Sequence, residues 1–133
     1  MKRLLIPVAF LGLLWVEPQS VDFATLADFD YEEGVALPEK VTKLDKKEIK
    51  VSGFMKSFDG ETEDITSFWL VNQNCNCEGP PKMNELILCT MPEGETVSIE
   101  DDAVEVEGTF EVGEDKEDDY VISIYRLRVK KLR

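Results

Sequence analysis

Between Ala103 and Val112 apolar and polar side chains alternate: Val104, Val106, Phe110 and Val112 share one parity, and Glu105, Glu107, Thr109 and Glu111 share the other. A period of two is a strand period, and a strand with carboxylates on one face has only its other face to bury. Gly108 interrupts the apolar row, which predicts a bulge or tight bend of the kind that lets a sheet curl. A curled sheet with one buried face is the strongest constraint on what this chain folds into.

Other segments follow the same pattern. Ile49 and Val51 alternate with Lys50 and Ser52, Ile65 to Val71 reads ITSFWLV, Glu85 to Met91 reads ELILCTM, and Tyr120 to Val129 supplies a last strand. Turns separate them at Asp59-Gly60 and at Pro92-Glu93-Gly94, and the acidic run Glu114 to Asp119 reads as a solvated hairpin loop. Ahead of the strands, Val21 to Glu33 has Phe23, Leu26, Ala27 and Tyr31 at helical intervals, with Asp22 as N-cap and Gly34 as stop. The expected fold is mainly all-β: a small OB-like barrel of five or six strands, with a short N-terminal helix or arm. Alternation alone does not separate this barrel from a sandwich.

At 133 residues the chain suffices for one domain. The expected division is a leader over 1–20, an arm over 21–45 and the barrel over 46–133. The leader is expected because Met1-Lys2-Arg3 precedes an apolar stretch from Leu4 to Val16, the proportions of a signal peptide and short of a membrane span. Export, to the periplasm or beyond, with the segment cleaved or kept as an anchor, follows as the expected location. No stable membrane span is expected in the mature chain.

Formal net charge is −13, which repels phosphate backbones and argues against a nucleic-acid partner. The basic tail from Arg126 to Arg133 and the lysines from Lys40 to Lys50 alternate with carboxylates or close a strand, as solvated faces do. The chain has no histidine, which removes the commonest general base and every Ser/His or Cys/His nucleophile pair. Carboxylate pairs such as Glu61/Asp64 are too abundant to single out a catalytic or calcium site. No catalytic constellation stands out, and a non-enzymatic role is expected.

Unusual residues concentrate in one place, NQNCNCEGPPKMNE over 72–85, between two hydrophobic strands. Gly79 permits backbone angles closed to other residues, while Pro80 and Pro81 fix φ, so the connection is expected to be irregular and stiff. The candidate binding residues are Asn74, Cys75, Asn76, Cys77, Gly79, Pro80, Pro81 and Asn84. Cys75 and Cys77 lie two apart, placing two thiolates on one side of an extended segment, a pairing that suits Cu or Zn. Cys89 is available as a third ligand or as a disulfide partner, and a structural disulfide or buried thiol stays open beside the metal reading. The asparagines are also ordinary turn residues. Trp69, Phe68, Phe54 and Phe58 form an aromatic platform or pack the core.

The stretch LDKKEIKVSGFM, then ITSFWLV, then CNCEGPPKMNELIL resembles a bacterial family of exported proteins, domain-of-unknown-function family 3299. The likeness rests on Leu44-Asp45, Val51 to Met55, Phe68 to Val71, Cys75 to Cys77, and Pro80-Pro81 followed by Asn84. It implies an exported domain with no settled biochemical activity, some members resembling accessory components of envelope transport systems. Other members often carry Cys-x-His in the loop where this chain has Cys-Asn-Cys. Two functions are therefore expected: a non-catalytic accessory module that presents 72–85 to an envelope protein or small ligand, or a thiol-based metal or redox protein that uses Cys75 and Cys77. Oligomeric state is not legible.

Overall fold

The structure, a computed structural model, describes residues 17–74 and 79–133. Its strands are β1 (Gln19–Ser20), β2 (Glu48–Lys56), β3 (Ser67–Val71), β4 (Leu86–Thr90), β5 (Val104–Glu117) and β6 (Tyr120–Leu132), with two one-turn helices, α1 (Phe23–Leu26) and α2 (Glu39–Thr42). All six strands belong to one sheet. β2 pairs antiparallel with β3, β3 with β4, and β5 with both β6 and β2, while β4 and β6 run parallel. Five strands thus close into a ring with OB-like connectivity, and β1 adds to β2 in parallel from outside it. One ring-like sheet, and not a two-sheet sandwich, is the architecture that the alternation left open.

The ring follows from the residue pattern. Along β2, Ile49, Val51, Gly53 and Met55 are buried, and along β5, Val104, Val106, Gly108 and Phe110. Both glycines sit where the ring must close. The β5–β6 register slips between Glu107 and Gly108, the bulge that the interrupted row predicts. A Cβ on Gly108 would run into the backbone carbonyl of Arg128, and one on Gly53 would lie 2.7 Å from the carbonyl oxygen of Val71. Only glycine lets these strands approach so closely.

The arm is part of the same core. Val21, Phe23, Leu26, Val41 and Leu44 cluster with Phe68, Phe110 and Tyr125 from the ring. Asp22 caps α1 by accepting from the Thr25 amide at 2.9 Å, and that interaction, with the Thr25 backbone first, holds its carboxyl below the usual range. Tyr125, fully buried and stacked on Phe110 at 5.4 Å, donates its hydroxyl to the Leu26 carbonyl at 2.7 Å. Burial pushes the Tyr125 phenol up.

Several elements differ from the sequence reading. The acidic run is not a loop: β5 continues to Glu117, and only Asp118 and Asp119 turn the chain, with φ of 51° and 68°. Two residues with positive φ make the tight turn that matches strand twist, and Asp tolerates that region better than most side chains. The helix expected from Val21 spans only Phe23–Leu26. A second helix, which the sequence reading did not expect, follows Pro38 within the arm, the fixed φ of Pro38 starting it. The strand expected from Glu85 is β4 and begins at Leu86, because Glu85 closes a 3₁₀ turn.

Candidate functional site

The connection over 72–85 joins β3 to β4 at one end of the ring. Its candidate residues divide three ways. Asn74 is exposed, and both its backbone and side-chain oxygens accept from the Lys56 ammonium, at 3.2 and 2.8 Å, which ties the start of the connection to β2. Cys75, Asn76 and Cys77 lie outside the described residues. Gly79 has a φ of 90° with open space where a Cβ would stand, and Pro80 and Pro81 are exposed beside it.

Asn84 departs from the expectation of a displayed side chain, being only 3% exposed. Residues Met83–Glu85 form a 3₁₀ turn, so the connection is not wholly irregular. The Glu85 amide donates to the Lys82 carbonyl at 2.9 Å, and the Glu85 carboxylate accepts from the Lys82 amide at 3.1 Å. That turn carries Asn84 inward against the arm, where its Nδ2 donates to the carbonyl oxygens of Phe29 at 2.6 Å and Ala27 at 3.5 Å. Its Oδ1 is buried with no partner. A buried acceptor left unmatched costs about 1–3 kcal/mol.

Asn84 forms part of the wall of a cleft of about 320 Å³ between the arm and the connection. Phe29, Val71, Pro80 and Pro81 supply its apolar surface, and Asp30, Lys82 and Glu85 its charge. A recess of about 270 Å³ adjoins it, sharing Phe29, Asp30, Lys82 and Asn84. The arm residues Ala27, Phe29 and Asp30 were not foreseen as site residues. No periodicity in the sequence places a segment near residue 28 beside one near residue 84.

Other sequence candidates are accounted for elsewhere. Cys89 is fully buried in the core and free, its thiol pushed up by burial and turned toward the Ile87 carbonyl. β4 directs it into the ring interior, where it is the buried thiol that the sequence left open. Among the described residues no cluster of three or more His, Cys, Asp or Glu is placed to hold a metal. Of the aromatic residues, Phe68 is core, whereas Phe58 packs edge-on against Trp69 at 5.1 Å at the surface. Three cations of the basic tail are engaged within the chain. Arg126 and Arg128 flank Glu111 at 3.7 and 2.7 Å, and Lys130 meets Glu48 at 2.8 Å. Among the described residues no helix is long and apolar enough to cross a membrane.

The sequence profile of the family described as "Protein of unknown function (DUF3299)" matches residues 6–133, nearly the whole chain. The chain belongs to the DUF3299 family. A crystal structure of a DUF3299 protein from Pseudomonas aeruginosa PAO1 superposes with a TM-score of 0.57 at 20% identity, covering 86% of this chain and 94% of that one, which supports a shared fold. An aspartyl-tRNA synthetase-like protein of Leishmania major Friedlin is similar more loosely, with a TM-score of 0.45 at 12% identity, over 92% of this chain and 22% of its own. That second likeness bears on neither fold nor activity. No functionally curated protein matches the sequence. The DUF3299 description assigns no activity, so function has to be argued from the cleft.

Proposed function

We propose that this DUF3299 chain is a non-catalytic binding module of the cell envelope, which receives a small ligand or a partner's side chain in the cleft between its arm and the 72–85 connection. The observation that carries the reading is the cleft of about 320 Å³ that Ala27, Phe29 and Asp30 of the arm form with Pro80, Pro81 and Lys82 of the connection. Asn84, only 3% exposed and bonded through Nδ2 to the Phe29 carbonyl at 2.6 Å, ties the connection to the arm and so holds the two walls of the cleft together. The closed ring behind it supplies a rigid support. Export is supported by the basic start Met1-Lys2-Arg3 and the apolar stretch that follows it. For catalysis there is little to work with, because histidine is absent.

The test is a titration of the isotope-labelled protein with a set of small polar fragments, followed by amide NMR. Saturable shifts confined to residues 27–30, 71–73 and 79–85 are expected. Hits that cluster elsewhere on the ring, with those residues unmoved, would overturn the reading. Location is tested separately by fractionating cells that carry a tagged chain, where retention in the cytoplasm would contradict an envelope role.

A further inference from the structure

The two ends of the arm belong to the core, where Phe23, Leu26, Val41 and Leu44 are buried. Residues 29–37 between them only lean on it, with Phe29, Tyr31 and Leu37 partly buried and Val35 54% exposed. Lys40 of α2 clasps the ends of this segment, donating to the carbonyl of Asp28 and, at 2.9 Å, to its carboxylate. We infer that residues 29–37 form a gate over the cleft, a strap that lifts about this clasp while the ring stays folded. The inference rests on the fold and not on what the cleft binds.

Two contacts hold the strap down. Nδ2 of Asn84 donates to the Phe29 carbonyl at 2.6 Å, and the Gly34 amide donates to the Glu114 carboxylate of β5 at 2.8 Å. The exposed pair of Lys116 and Glu33, at 3.7 Å, adds little. Among the described residues, the buried side-chain polar atoms without a partner are the Tyr31 hydroxyl, Asn84 Oδ1 and Glu114 Oε2. All of them gather at the strap: Tyr31 lies on it, and the other two belong to the side chains that hold it. Burial, and after it the Glu114 carboxylate, raises the Tyr31 phenol, so the two groups lie close without a well-formed hydrogen bond between them. Water reaches these atoms once the strap lifts, so the closed state carries a desolvation cost that opening removes. Lifting the strap is therefore easier than unfolding the ring. Phe29 and Asp30 line the cleft and Tyr31 the adjoining recess, so the same motion takes away one wall of the cleft.

The experiment is native-state hydrogen exchange on the full chain, read by amide NMR at Gly34 and at the β2 and β5 amides over a range of low urea concentrations. Gly34 is expected to be protected about 100-fold less than the slowest ring amides and to exchange at a rate nearly flat in urea, since a local opening exposes little surface. Tyr31→Phe deletes an unmatched hydroxyl, so its Gly34 amide should exchange about tenfold more slowly than in the wild type. An unchanged or faster rate in Tyr31→Phe would overturn the gate, because the hydroxyl would then not oppose closure. Gly34 exchanging together with the ring amides, with the same dependence on urea, would overturn it as well.

Discussion

Gly108 has no side chain because the Arg128 carbonyl occupies the place where one would begin. Gly108→Ala is therefore expected to cost about 1–3 kcal/mol or more, read as a fall in the urea midpoint, whereas Gly60→Ala, with open space at its Cβ position, is limited to the cost of its positive φ. This residue was legible in advance, since a glycine in an otherwise apolar row of one parity announces itself. Tyr125 was not: its role depends on the Leu26 carbonyl, 99 positions away, and no local pattern reports that pairing. Burial raises the Tyr125 phenol above its ordinary value near 10, so the fold prefers the neutral form. Its contribution is complete below pH 10 and is lost as pH climbs from there toward the raised value. The Tyr125→Phe variant should lose about 1–3 kcal/mol at neutral pH, where the Leu26 carbonyl is orphaned, yet show a shallower alkaline decline in melting temperature. An equal alkaline slope in both proteins would contradict this account. Asn84 was singled out in the sequence as part of a displayed connection, and its burial was not legible, because asparagine is common in turns and nothing local says that this one faces inward.

At the scale of elements, the β5–β6 hairpin shows most clearly where reading by composition stops. Six residues from Glu114 to Asp119 looked like a solvated loop because five are acidic, but strands can carry charge on exposed positions, and pairing continues to Glu117↔Tyr120. Asp118 and Asp119 hold positive φ without glycine. Replacing the pair by Asn-Gly should raise stability by about 0.5–1 kcal/mol by relieving left-handed strain, and denaturant melts of the double variant measure it. The strands themselves were legible to within a few residues, since alternation reports burial directly. α1 was overextended and α2 missed, because a helix of four residues leaves too short a period to detect. The cleft was half legible. Its connection side was visible as a cluster of Gly, Pro and Asn, and its arm side was invisible, being created only when the arm docks.

At the scale of the whole molecule, net charge −13 places a repulsive load on the folded state that the ion pairs of Arg126, Arg128 and Lys130 relieve only locally. Raising ionic strength from about 0.01 to about 0.15 M shortens the screening length from about 30 to about 8 Å, so the melting temperature should rise with salt. A fall would show that the favourable pairs outweigh the repulsion. The connectivity of the ring has a consequence of its own for how the chain acquires its shape. β6 is the last strand in the chain, yet it alone joins β4 to β5, and its parallel contact Leu88↔Arg126 spans residues far apart in sequence. A polypeptide emerging N-terminus first from a ribosome therefore lacks its keystone until Tyr120–Leu132 has left the tunnel, and the ring stays pliable up to that moment.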